Sequence, residues 1–200
     1  MLRVYGDMQS GNCYKIKLLM QFLNIEHEWN HIDILAGETK SDEFISKNSN
    51  SQIPVLELDE NEYLSESNAI LNYLSEGSPF LPESGLPRAK VLQWQFFEQY
   101  SHEPNIAVAR YINKYLGLPP EKVSEYESKQ SGGYKALTVM EQQLSDTQFL
   151  VGDTPTIADV SLYAYTHVAN EGGFNLNTFP KINEWIKRIE ALPNYIPMPK

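Results

Sequence analysis

Apolar positions in the first third of the chain follow two alternating rhythms. Leu2-Arg3-Val4-Tyr5-Gly6 reads as a short strand closed by glycine. Residues 13–24 then follow a helical repeat, with Ile16, Leu19, Met20 and Leu23 three and four apart and Lys15, Lys17 and Gln21 between them. Residues 27–32 predict a second strand, 41–47 a weak helix and 54–58 a third strand. Asp59-Glu60-Asn61 turns into Glu62-Tyr63-Leu64 and predicts a hairpin. Residues 66–76 return to helical spacing, with Ala69, Ile70, Tyr73 and Leu74 on one face. The pattern is a β-α-β unit followed by a β-hairpin and a helix.

Residues 77–87 are rich in glycine, proline and serine and read as a linker. Beyond Pro87 the spacing is helical. Val91, Trp94 and Phe97 open a long amphipathic segment, and Ile106, Tyr111, Ile112 and Tyr115 continue it. Pro104 is expected to kink or break that segment, because proline lacks an N–H and clashes with the preceding turn. A second segment runs from Val123 to Leu144; Gly132-Gly133 inside it are expected to weaken the helix by ~1 kcal/mol each. Residues 157–169 and 181–192 predict two further helices. The expected organisation is therefore an α/β domain over 1–76, a linker over 77–87 and an all-α domain over 88–200.

Composition narrows the function classes. A chain of 200 residues buries a substantial core, and 42% hydrophobic with 21% charged residues is ordinary for a soluble globular protein. The N-terminal residues do not resemble a signal peptide, and no apolar run approaches the ~18 residues of a membrane span. A soluble, cytoplasmic protein without a membrane partner is the expectation. Cys13 is the single cysteine, which fits a reducing compartment. A formal net charge of −10 argues against nucleic acid as a partner. It also means that an anionic ligand needs local donors or helix N-termini, because the global field repels it.

Four segments carry the candidate chemistry. Ser10-Gly11-Asn12-Cys13-Tyr14-Lys15-Ile16 joins the first strand to the first helix. Gln52-Ile53-Pro54-Val55-Leu56 precedes the third strand, and Glu66-Ser67-Asn68-Ala69-Ile70 opens a helix. Gly152-Asp153-Thr154-Pro155-Thr156-Ile157-Ala158-Asp159-Val160-Ser161 has the spacing of a capping box, in which Thr156 and Asp159 satisfy each other's backbone. Together, and in this order, they resemble the cytosolic glutathione transferases along nearly the whole chain. The first turn is similar to that of bacterial nu-like members, with zeta- and beta-like features at Ser10.

The resemblance implies a thioredoxin-like N-terminal domain, an all-helical C-terminal domain, a homodimer, and glutathione as co-substrate with no metal. It implies a cis peptide at Ile53-Pro54, where the backbone of Ile53 pairs with the cysteinyl unit of glutathione. It assigns the γ-glutamyl carboxylate to Ser67 and the amino group to Glu66, at a helix N-terminus that favours anions. Lys40 and Gln52 are candidates for the glycyl carboxylate. Ser10 and Asn12 face the sulfur as catalytic donors. A free thiol of this kind has a pKa near ~8.5 and attacks as the thiolate; lowering the pKa by ~2 units takes about 2.7 kcal/mol.

Each residue also has a purely structural alternative. Ser10 and Asn12 shape a turn and cap the first helix. Ser67 caps a helix, and Lys40 is a solvated surface lysine. Arg110 either reaches the substrate cleft or forms a surface salt bridge. Cys13 is read as a packed residue rather than a catalytic thiol. Tyr5 falls too early to be the tyrosine of the alpha, mu and pi types. Three functions follow from the resemblance: conjugation of the glutathione thiolate to a small apolar electrophile docked at the domain interface, reduction of disulfides by glutathione, and a non-catalytic ligand-binding or protein-interaction module.

Overall fold

The computed structural model describes residues 1–59 and 61–199. Glu60, in the predicted hairpin turn, and Lys200, at the end of the predicted helical domain, lie outside the described residues. The chain divides into two compact units. The first is Met1–Ser78 joined by the terminal segment from Leu192; the second is Pro79–Ala191.

The first unit is built on a four-stranded sheet of order β2-β1-β3-β4, with β1 at Leu2–Gly6, β2 at His27–His31, β3 at Val55–Glu57 and β4 at Tyr63–Ser65. β1 runs parallel to β2, with Val4 opposite Trp29, and antiparallel to β3, with Val4 opposite Leu56. Helix α1 (Gly11–Phe22) makes the crossover between the parallel pair, as parallel strands require. Helix α2 (Asp42–Lys47) lies between β2 and β3, and α3 (Ser67–Ser75) follows β4 and packs on α1. This is the thioredoxin-like arrangement. The terminal segment returns to this unit, where the Tyr14 hydroxyl donates to the Ile196 carbonyl at 2.7 Å. Helical periodicity could not reveal that return, because residues 192–199 carry no element of their own.

The second unit is helical: α4 (Gly85–Phe97), α5 (Glu103–Arg110), α6 (Val123–Asp146), α7 (Ile157–Thr166) and α8 (Pro180–Glu190). Helix α4 begins inside the stretch read as a linker, and the Phe80 carbonyl already accepts from the Ile157 N–H at 2.9 Å. Every residue of α7 is buried. A helix buried on all sides belongs at the centre of a helical core, and its polar residues Asp159 and Thr166 are hydrogen-bonded there. Thr156 and Asp159 form the predicted capping box at its start.

Two expectations are realised differently from their simplest form. The segment around Pro104 does not break. A π-helical turn over Glu98–His102 precedes α5, and Pro104 sits in the first turn of α5, where its missing N–H costs little. Gly132 and Gly133 lie inside an unbroken α6, and a Cβ on them would collide with the Asn105 side chain and the Phe174 ring. These glycines give up helix propensity to admit close neighbours.

Candidate functional site

The first strand-to-helix corner is built by a short turn. Asp7 Oδ1 accepts from the Gln9 N–H at 2.9 Å, and the Asp7 carbonyl accepts from the Ser10 N–H at 3.0 Å. Ser10 then occupies the N-cap position of α1 with extended backbone (φ −70, ψ 125), but its side chain makes no capping bond. The Ser10 hydroxyl favours ionisation of the neighbouring Cys13 thiol, but burial outweighs it. Burial pushes that thiol up to about 12, so sulfur keeps its proton at ordinary pH.

Asn12, in the first turn of α1, is held by two donors. The Lys15 ammonium donates to Asn12 Oδ1 at 2.7 Å, and the Ser67 hydroxyl donates to the same oxygen at 3.3 Å. Lys15 Nζ also donates to Ser67 Oγ at 3.3 Å. Lys15 is completely buried, and Ser67 is nearly so. The fold thus brings Asn12 at the start of α1 and Ser67 at the start of α3 into one cluster, although they lie 55 positions apart in the chain.

Glu66 stands just before this cluster at the N-cap of α3, with φ 68 and ψ 111. A positive φ on a residue with a Cβ is strained by about 1–3 kcal/mol and is found most often where function demands it. The Glu66 side chain is exposed. The Ile53–Pro54 peptide is cis, with Ile53 half-buried and Pro54 buried immediately before β3. Gln52 is exposed, and its carbonyl accepts from Asn48 Nδ2 at 2.8 Å. Lys40 is exposed at the end of a 3-10 turn over Glu38–Lys40.

Arg110 belongs to the second unit. Its guanidinium is buried and donates to Glu171 Oε2 at 2.6 Å; Lys114 Nζ holds the other oxygen at 3.0 Å. The salt bridge weighed as its alternative is therefore present, and it is interior rather than superficial. Tyr5 is likewise committed, donating to Glu57 Oε2 at 2.6 Å; burial and the neighbouring carboxylate raise its pKa well above that of a free phenol.

Lys15 was not among the residues singled out by sequence. Position 15 nonetheless falls on the apolar stripe, three before Leu18 and four before Leu19, both of which are buried. A lysine on that stripe was the available signal. Among the described residues no cluster of three or more His, Cys, Asp or Glu side chains could hold a metal ion. No helix among them is long and apolar enough to cross a membrane.

A thioredoxin-like unit with this corner, a cis proline before β3 and a strained residue opening α3 defines a glutathione-transferase type of protein. The comparisons agree. Residues 1–76 match the glutathione S-transferase N-terminal domain family, and residues 100–193 match its C-terminal domain family. The chain belongs to the glutathione S-transferase family. It is 56% identical to a glutathione S-transferase from Pseudomonas fluorescens Pf-5, whose crystal structure superposes with a TM-score of 0.97 over 100% of this chain and 99% of that one. It is 25% identical to protein URE2 of Candida maltosa, over 96% of this chain and 71% of the relative. At lower identity it shares the fold of Ure2p: a structure of Ure2p in complex with glutathione superposes with a TM-score of 0.84 at 23% identity, covering 96% and 90% of the two chains.

Proposed function

We propose that this protein is a glutathione S-transferase that conjugates the glutathione thiolate to small electrophiles. The observation that carries the reading is the junction of Asn12 with Ser67, 3.3 Å apart. It joins the helix start assigned to the sulfur to the helix start assigned to the γ-glutamyl carboxylate. The complex of Ure2p with glutathione supports the choice of ligand within the fold.

In this reading the N-terminus of α3 offers N–H groups and a partial positive charge to the carboxylate at Ser67, and Glu66 meets the amino group. The backbone of Ile53, beside cis Pro54, pairs with the cysteinyl unit in the manner of an added strand. Lys40 and Gln52 serve the glycyl end. Ser10 and Asn12 donate to sulfur and favour the thiolate, whose proton goes to solvent. The thiolate then attacks an electrophilic carbon; a carbon–sulfur bond forms as the leaving group departs with its bonding pair. Arg110, whose guanidinium is paired with Glu171, is given no ligand contact in this reading.

Conjugation of a generic electrophilic aryl halide by the purified protein tests the reading. We expect turnover in the parent and a loss of about tenfold or more in Asn12→Ala and in Ser10→Ala, equivalent to about 1.4 kcal/mol each. Equal activity of parent and both variants rejects the donor assignment. Faster turnover of hydroxyethyl disulfide than of any electrophile replaces conjugation with disulfide reduction. Failure to be retained on immobilised glutathione leaves a non-catalytic module. A cytoplasmic homodimer completes the proposal. Leu92, Phe96 and Tyr100 recur four apart along the α4 path and are exposed, which suits a second copy; sedimentation as a monomer removes that part.

A further inference from the structure

We propose that Lys15 is a positioning residue for the glutathione site: its buried ammonium fixes the orientation of the Asn12 amide and ties it to Ser67, so that one cation sets both ends of the site. The inference rests on the glutathione reading above and adds to it a residue that does not itself touch the tripeptide.

The amide orientation follows from donor chemistry. An ammonium has three donors and no acceptor. At 2.7 Å from Lys15 Nζ, the Asn12 side chain can present only its oxygen. The opposite flip would set Nδ2–H against an ammonium, donor against donor. With Oδ1 turned to Lys15, Nδ2 and its two hydrogens point to the other side of the amide. A carboxamide that donates to a thiolate must have that orientation. An Asn12 free to flip would present an oxygen to the sulfur in its other state and repel the anion.

Ser67 is fixed by the same cation. Its oxygen accepts from Lys15 Nζ at 3.3 Å, and its single proton goes to Asn12 Oδ1 at 3.3 Å. With that proton committed, a carboxylate at this corner is received through the backbone N–H groups and dipole of α3. The lysine therefore stands behind both contacts. Its charge adds to the geometry. In a chain of net charge −10 the overall field opposes an anionic tripeptide, whereas a cation shielded from water at this corner acts in a low-dielectric setting and favours both the thiolate and the carboxylate. Burying a lysine is costly, and these hydrogen bonds make it tolerable.

The ultraviolet absorbance of bound glutathione thiolate, titrated against pH, tests the proposal in the full-length parent, in Lys15→Met and in Lys15→Gln. Methionine keeps the length without charge or donors; glutamine keeps a donor without charge and serves if methionine does not fold. In the parent, the bound thiol titrates below free glutathione. In either variant its midpoint rises by about one unit, a tenfold loss of thiolate below the midpoint. The rate of aryl-halide conjugation falls about tenfold at neutral pH and recovers at alkaline pH. A lysine that only props up the fold lowers the melting temperature but leaves the midpoint in place, and that result overturns the proposal. A parent protein that gives no thiolate signal with glutathione overturns the glutathione reading itself; a parent signal unchanged on loss of Lys15 overturns the role of Lys15 alone.

Discussion

The Asp159 carboxylate accepts from the Trp185 indole Nε1–H at 2.9 Å, tying the first turn of α7 to the middle of α8. The same carboxylate accepts from the Leu150 N–H at 2.9 Å, the Thr156 N–H at 2.9 Å and the Thr156 hydroxyl at 3.1 Å. One buried acid thus satisfies a loop, a helix cap and a tryptophan. Asp159→Ala leaves these donors without their acceptor in the core and is expected to cost about 3–5 kcal/mol. Asp159→Asn keeps one oxygen but turns an N–H toward the Thr156 donors, costing about 2 kcal/mol. Urea denaturation of the two variants checks the order; a loss under about 0.5 kcal/mol for alanine contradicts the assignment.

Cys13 is expected to be chemically silent. Its thiol is fully buried, its pKa is pushed up to about 12, and a Cβ added to Gly6 would lie 2.6 Å from its sulfur. A soluble alkylating reagent leaves the native protein unmodified and labels it completely in denaturant. Cys13→Ala keeps aryl-halide turnover, whereas Gly6→Ala crowds a well-packed contact and destabilises by about 1–3 kcal/mol. Rapid native-state labelling of Cys13 would reverse this reading and return the thiol to the list of reactive groups.

Glu66 gives a case in which stability and binding move in opposite directions. Its φ of 68 is strained for any residue with a Cβ. Glu66→Gly relieves about 1–3 kcal/mol of strain and loses part of that to the greater freedom of glycine in the unfolded chain. The expected net result is a protein about 1 kcal/mol more stable, measured by urea denaturation, that is retained less tightly on immobilised glutathione. A variant that is less stable than the parent shows that the side chain, and not the backbone, governs this position.

The elements were legible where a single rhythm governs a segment. Strand β1, helix α3 and the capping box at Thr156 and Asp159 follow from two- and three-to-four-residue spacing and from local side-chain-to-backbone bonds. The site was legible only as separate pieces. Ser10, Asn12 and Ser67 each carry a polar group at a helix start, but the contact between Asn12 and Ser67 depends on how α1 packs on α3, which no local pattern encodes. Lys15 escaped notice because lysine is read as solvated by default, even on an apolar stripe. Arg110 was ambiguous for the opposite reason: its partner, Glu171, stands 61 positions away in the chain, in a short 3-10 turn that helical periodicity does not predict.

His167 makes the stability of the helical unit depend on pH. Its ring stacks on Tyr163 with centroids 4.4 Å apart, and Nδ1 is 2.8 Å from the Tyr163 carbonyl. That contact makes Nδ1 the protonated nitrogen of a neutral imidazole. Burial, and secondarily the charge of Arg110, lower its pKa from 6.5 to about 4. The unfolded chain therefore takes up a proton before the folded one does. The stabilisation is complete above about pH 6.5 and is lost as pH falls through the window down to about 4. The shift corresponds to about 3 kcal/mol across that window. In His167→Gln, the amide N–H can still reach the Tyr163 carbonyl but nothing titrates. The difference in unfolding free energy between parent and variant is expected to shrink by about 3 kcal/mol from neutral pH to about pH 4, while the carboxylates common to both cancel. A difference that stays constant across the window would mean that His167 is solvated in solution and does not sense acid.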